Sequence, residues 1–267
     1  MTDIVAPAPV VNRDRFGRPL IIPPDGGKPV PYTRATTLAG AIDDLYGLMN
    51  WKCRQTAIGL VNRPDLQVSV SAHADDKKQL DKIVEQALEA SGSSAAATTG
   101  TAIHRLTELV DVQADIPPVA PDVATSLNLY RRLMAPIEIV ESEQLVVCDE
   151  LQTAGTPDRI VRWQNQNFIA DIKTGQNLDY SAGKIAMQLA IYAHSCAYQP
   201  DTGIRQPLPD VHQTAAIIIH LPAGRNEGQL VWVDIGAGWE AVQLAVQVRD
   251  WRKRRNLTAN FQTSPTG

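Results

Sequence analysis

Residues 155–173 read GTPDRIVRWQNQNFIADIK, and no other segment constrains the chain so tightly. Two runs rich in Ile, Val, Phe and Trp flank a polar tetrad, QNQN at 164–167, the pattern of a β-hairpin. With four turn residues, Trp163 faces Phe168, Ile160 faces Asp171 and Asp158 faces Lys173. Side chains alternate along a strand, so one face carries Asp158, Ile160, Arg162, Ile169, Asp171 and Lys173. The other carries Arg159, Val161, Trp163, Phe168, Ala170 and Ile172, a mainly apolar surface suited to packing against helices. Two carboxylates and an ammonium therefore crowd together on adjacent strands.

Charges placed this way need a reason, because neighbouring carboxylates repel and a buried unpaired charge is costly. A divalent cation supplies one. Two hard carboxylate oxygens, waters and a backbone carbonyl between Asp171 and Lys173 suit Mg²⁺ or Mn²⁺. The other reading is a surface hairpin in which Lys173 neutralises the two aspartates at little energetic value. The hairpin alone leaves both open.

Downstream, a helix is expected over 181–198, with Gln188 and Tyr192 one turn apart on one face. Strands at 214–221 and 229–233 follow, joined by PAGRNEG, and a helix over 239–256 closes the domain. Upstream lie a strand at 143–149, a helix at 122–134 behind the connector IPPVAP, and a helix entered near Thr99 that carries Gly100 and His104. Before it, SGSSAAATTG reads as a small-residue loop and 75–90 as a helix. From Thr36 a helical pattern sets Leu38, Ile42, Leu45, Leu48, Met49 and Cys53 near one stripe. The order α, β, β, β, α, β describes an α/β (α+β) domain, a small mixed β-sheet flanked by helices, with a helical N-terminal extension. The expected organisation is an irregular arm over 1–31, a helical region over 32–95, a core over 96–258 and a tail over 259–267. No internal repeat is visible.

The chain has 267 residues, 44% hydrophobic and 20% charged, with 25 Lys+Arg against 29 Asp+Glu and a formal charge of −4. Those proportions exclude collagen, coiled coil and a disordered chain. No apolar run approaches the ~20 residues of a membrane span, and the opening MTDIVAPAPVVNRDR is not a secretory signal. A cytoplasmic protein is expected, in the host cytoplasm if it is phage-encoded. Cys53, Cys148 and Cys196 are odd in number and scattered, which fits neither a disulfide framework nor a paired zinc motif. No GxxxxGK[ST] or GxGxxG phosphate loop and no GxSxG elbow is present. The one strong charge run is RDWRKRR at 249–255, either a solvated helix end or a set of phosphate contacts.

Taken in order, Gly100–His104 (GTAIH), Gly155–Asp158 (GTPD), Asp171–Lys173 (DIK) and Gln188–Tyr192 (QLAIY) resemble a known series. They look like the G-x-x-x-H helix, G-x-x-D strand, D/E-x-K strand and Q-x-x-x-Y helix of the RecB-like branch of the PD-(D/E)XK nuclease superfamily. That branch includes phage-encoded exonucleases and CRISPR-associated RecB-like exonucleases. Residues 34–51, RATTLAGAIDDLYGLMNW, are similar to the T-T-ψ-L…W opening of phage members. The resemblance implies a restriction-endonuclease-like core and a Mg²⁺- or Mn²⁺-dependent DNA nuclease, an exonuclease before an endonuclease, acting in recombination, repair or phage DNA processing. It implies metal ligation by His104, Asp158, Asp171 and the Ile172 carbonyl, with Glu143 as an outer or second-metal ligand. Lys173 is then the group that orients water, and Gln188 and Tyr192 support the site or contact DNA. DNA is the implied partner, with Arg34, Arg249, Arg252, Lys253 and Arg255 as phosphate contacts, and a recombination or replication protein as a further partner. Members with an iron–sulfur cluster use four cysteines; three are present here and none follows Cys196, so no such cluster is expected. The competing readings are a non-catalytic DNA-binding or assembly module of the same fold and a structure-specific endonuclease.

Overall fold

The computed structural model describes residues 11–260, without the side chains of 94–97; positions 1–10 of the arm and 261–267 of the tail lie outside the described residues. The strands are β1 (Leu20–Ile21), β2 (Val30–Pro31), β3 (Thr33–Arg34), β4 (Glu138–Ser142), β5 (Val146–Cys148), β6 (Thr153–Gly155), β7 (Arg159–Trp163), β8 (Gln166–Lys173), β9 (Cys196–Tyr198), β10 (Arg205–Pro207), β11 (Ala215–His220) and β12 (Gln229–Asp234). The helices are α1 (Ala35–Ala39), α2 (Tyr46–Asn62), α3 (Pro64–Ala72), α4 (Lys77–Ala90), α5 (Ser93–Asp111), α6 (Pro121–Met134), α7 (Ala182–Ala193) and α8 (Ile235–Lys253).

The hairpin β7–β8 forms, but its register is two residues from the expected one. Trp163 pairs with Gln166, Val161 with Phe168 and Arg159 with Ala170. Only Gln164 and Asn165 make the turn, both with positive φ (50° and 61°), because a two-residue turn of that hand matches the twist of the strands it joins. An even slip leaves every side chain on its expected face, whereas a slip of one would have exchanged the faces. Continued by one residue, the observed register sets Asp158 level with Asp171 rather than with Lys173.

The two faces are both covered. Ile160 and Ile169 join a core with α1, α7 and α8, which includes Leu38, Leu189, Ile191 and Val242. Val161, Phe168, Ala170 and Ile172 join a second core with Ile103 of α5 and Leu129, Tyr130 and Met134 of α6. The hairpin is thus central in a five-stranded mixed sheet, β12-β11-β8-β7-β4, parallel only between β11 and β8. Helices on both sides make a layered α+β protein.

Several expected boundaries are corrected. One small sheet was expected, but a second five-stranded sheet, β10-β9-β5-β6-β3, stands beside the first. The expected strand 155–163 is broken at Thr156–Asp158, so that β6 lies in one sheet and β7 in the other; Pro157, which lacks an N–H, suits that crossing. The expected strand 143–149 shortens to β5 (Val146–Cys148); a strand the sequence reading lacked, β4, precedes it, and Glu143 lies between the two at a positive φ of 50°. Helix 181–198 stops at Ala193, and Cys196–Tyr198 is a strand instead. The expected loop 91–100 is mostly helix, since α5 begins at Ser93 after the left-handed Gly92. A domain boundary at 95/96 therefore falls inside a helix.

The stripe from Leu38 to Cys53 is not a single face. A 3-10 turn (Gly40–Ile42) and the Asp43–Leu45 break reset the helical phase, leaving Leu38 buried and Leu45, Leu48 and Met49 exposed. The described part of the arm is tied to the second sheet. Ile21 is wholly buried with Tyr32, Val147 and Tyr198, and Arg205 donates to the Ile22 carbonyl at 2.8 Å while pairing with Asp149. Helices α2 to α4 have their own small core of Leu66, Ile83 and Ala87. The last helix starts four residues earlier than expected, because Asp234 caps it by accepting from the Ala237 N–H. Among the described residues no helix is long and apolar enough to cross a membrane.

Candidate active site

Just before β7 begins, the Asp158 carboxylate extends the ladder: its Oδ2 accepts the Ile172 N–H at 2.7 Å. The same oxygen lies 3.3 Å from His104 Nδ1. Helix α5, which carries His104, passes close to the end of β8; a Cβ on Gly100 would collide with the Thr174 hydroxyl. The glycine of GTAIH is thus the residue that lets the helix approach.

Asp171 lies on β8, only 2% exposed, and its Oδ2 is 2.6 Å from Lys173 Nζ. That oxygen is buried, and the Lys173 ammonium is the charge set against it. From the other side of the sheet α7 brings Gln188, whose amide donates to the buried Tyr192 hydroxyl at 3.1 Å. Gly155 is needed beneath that ring, because a Cβ there would come within 2.5 Å of Tyr192 Cε1. Gly155→Ala is expected to displace the ring and cost about 1–3 kcal/mol, seen as a melting temperature several degrees below that of the parent chain.

The electrostatics join these groups into one cluster. Burial raises the Asp158 carboxyl, but the hydrogen bond and charge of His104 and the Ile172 N–H outweigh it and hold Asp158 below the ordinary carboxylate range. Asp171 goes the other way: burial, then the charge of Asp158, push it up to about 6 against the pull of Lys173. Burial acts to lower His104, yet Asp158 and then Asp171 prevail and raise it. Glu143 is pushed up to about 7 by burial and by Asp158 and Glu108. Tyr192 is raised by burial above all, and among the charges acting on it are Asp171, Asp158 and Glu143.

His104, Asp158, Asp171, Lys173, Gln188 and Tyr192 are therefore brought together from α5, the β6–β7 crossing, β8 and α7. Glu143 stands at the edge, its N–H donating to the Asp158 carbonyl at 3.1 Å. Asp158 accepts from the Ile172 N–H and lies beside His104, Asp171 lies against Lys173, and among the described residues no three His, Cys, Asp or Glu side chains stand in a metal-ligating arrangement. Two participants escaped the sequence reading. Glu108 is one turn beyond His104, and burial, then the charge of Asp158 among others, raises its carboxyl; the i, i+4 spacing was the available signal. Arg159, expected simply to face the helices, is 1% exposed and paired with Asp111 at 2.7 Å, and nothing in the local pattern announced its partner 48 residues away.

The basic residues divide. Exposed Arg34, with Arg13, Thr36, Gly155, Thr156 and Tyr192, lines a cavity of about 180 Å³ that reaches the site. Arg249 is anchored beside it, donating to the Thr33 hydroxyl at 3.0 Å. Arg252 and Arg255 are exposed at the end of α8, and Lys253 is paired with Asp250 at 2.8 Å.

Fold and site together define a layered α+β protein with a half-enclosed carboxylate–imidazole–lysine cluster. No family model and no curated protein matches the chain.

Proposed function

We propose that this protein is a metal-dependent DNA nuclease with a PD-(D/E)XK core, cutting phosphodiester bonds from a strand end. The observation that carries the reading is the meeting of His104, Asp158, Asp171 and Lys173, drawn from three separated segments, with the buried Asp171 carboxylate set against the Lys173 ammonium at 2.6 Å and Asp158 against His104 at 3.3 Å. The chemistry of the donor set suits a hard divalent cation: two carboxylates, an imidazole and a third carboxylate at the edge, with Asp171 and Glu143 raised by burial and then by neighbouring carboxylates. His104, Asp158, Asp171 and the Ile172 carbonyl would hold Mg²⁺ or Mn²⁺, with Glu143 outside them. Such an ion supplies positive charge against the phosphate and acidifies water.

The chain's own residues do the rest. Lys173, two residues beyond Asp171 and still partly open to solvent, donates from Nζ to the attacking water and to the negative charge that develops on phosphate. Gln188 fixes the Tyr192 hydroxyl against the strand that carries Gly155. Arg34 and Arg13, which line the cavity, receive phosphate oxygens. Lys173→Ala is expected to lower turnover about 10²–10³-fold while leaving DNA affinity within a small factor, as read by single-turnover digestion beside a binding titration.

The deciding experiment is digestion of end-labelled linear DNA and closed circular DNA with Mg²⁺ or Mn²⁺. Loss of label from linear DNA alone supports the proposal. Cutting of the circle replaces it with a structure-specific endonuclease, and tight DNA binding without any cutting replaces it with a non-catalytic module. A thermodynamic check is independent of substrate. Ionised acids are needed to hold the cation, and Asp171 and Glu143 ionise through about 6 and about 7, so millimolar Mn²⁺ should raise the melting temperature clearly at pH 8 and little at pH 5. An equal shift at both pH values would contradict the assigned ligands.

A further inference from the structure

We infer that Arg159 is a positioning residue, fixing through Thr107 and Asp111 the seat of the His104-bearing helix over Asp158. Arg159 follows Asp158 in the chain, but strand alternation sends its side chain to the opposite face of the sheet. There it is 1% exposed and meets α5 and α6. Its Nη2 donates to the Thr107 hydroxyl at 3.0 Å, and that hydroxyl donates to the His104 carbonyl at 2.6 Å. Two hydrogen bonds therefore connect the residue after Asp158 to the peptide of His104. The guanidinium is held in turn: Nε donates to Asp111 Oδ2 at 2.7 Å and to the Tyr130 hydroxyl at 2.9 Å, and Tyr130 donates to the other Asp111 oxygen.

His104, Thr107 and Asp111 are spaced by three and four residues, so they share one face of α5. The face that presents the imidazole is the face that Arg159 grips. Apolar packing such as that of Ile103 resists separation of helix from sheet but is non-directional, and it tolerates small rotations and slides. A planar, rigid fork of donors does not. An imidazole at 3.3 Å from a carboxylate is sensitive to shifts of a few tenths of an ångström. The consequence for catalysis rests on the nuclease reading above, whereas the seat of His104 against Asp158 does not depend on it.

The test compares Thr107→Val, which keeps shape and removes the hydroxyl, with Thr107→Ser, which keeps the hydroxyl, in the full chain with circular dichroism as the fold control. Two signals are read: the imidazole ¹⁵N spectrum of metal-free protein, which reports the His104–Asp158 contact, and Mn²⁺ binding by electron paramagnetic resonance with detection of imidazole nitrogen. Folded Thr107→Val is expected to lose the contact signature and to bind Mn²⁺ about 10–100-fold more weakly, with Thr107→Ser restoring both. Tyr130→Phe, which loosens the guanidinium without touching Thr107, should weaken the contact signal partway, and it serves if Thr107→Val does not fold. An unchanged imidazole spectrum in whichever folded variant is obtained overturns the inference. If the parent chain binds no Mn²⁺ while its imidazole spectrum responds as described, the nuclease reading fails and the positioning role stands.

Discussion

Asp171→Asn is expected to abolish DNA cleavage and, in the same protein, to raise the melting temperature at pH 8. The first effect follows from the role proposed for the carboxylate beside Lys173. The second follows from its burial. Asp171 is 2% exposed, and the fold pushes its carboxyl from 3.8 up to about 6. A group raised in the folded state contributes stability that is complete below its ordinary value and is lost as pH rises through the raised one. Above about pH 6 the native chain therefore holds a carboxylate that its surroundings disfavour, and the neutral amide removes that burden with almost the same shape. Lys173 loses its partner but is still 27% exposed and can turn to solvent. Melting curves without divalent ions at pH 8 and pH 4 check this: the variant should exceed the parent chain at pH 8, and the advantage should disappear at pH 4. Cleavage at the parent rate with Mn²⁺ would remove Asp171 from the site, and a lower melting temperature at pH 8 would refute the electrostatic account. A group whose removal stabilises the fold and ends activity is what a functional site requires.

Arg159→Met should have the largest effect on folding. The pair with Asp111 is almost without water, at 1% and 4% side-chain exposure, and the same guanidinium satisfies Thr107 and Tyr130. Methionine keeps much of the volume and leaves the Asp111 carboxylate buried without its cation. Breaking a buried pair from one side costs about 3–5 kcal/mol, a fall in melting temperature of roughly 6–20 °C for a chain of about this size. The double variant Arg159→Met/Asp111→Leu removes the stranded charge and should recover most of the loss, which separates an unpaired carboxylate from a packing defect. A single variant within a degree or two of the parent chain would show that water or another cation reaches Asp111.

What was legible in the sequence depended on the range of the interaction. The hairpin faces were readable because alternation is local and survives an even slip of register. The motif glycines were readable as motif members, although the collisions that require them, with Thr174 for Gly100 and with Tyr192 for Gly155, involve residues dozens of positions away. Gly155, Pro157 and Asp158, all disfavoured within strands, were a signal of the break at 156–158, but that the chain changes sheets there was not readable, because a second sheet is a tertiary fact. The stripe across Leu38–Cys53 misled for the opposite reason. Its spacing is helical, but three non-helical residues change the phase, and periodicity carries no information on where a neighbouring helix will be.

Residue order alone determined the alternation that sets Asp158, Asp171 and Lys173 on one side of a hairpin, the helical spacing of Gln188 with Tyr192, and the α+β class. Those are consequences of backbone geometry within a few residues. Tertiary structure alone decided that His104 stands against Asp158, that Asp171 is buried with its carboxyl raised, that Arg159 is tied to Asp111, and that Arg34 opens toward Tyr192. Each of these depends on which surfaces exclude water from which charges, and that is settled only when helices separated along the chain pack on both faces of the same sheet.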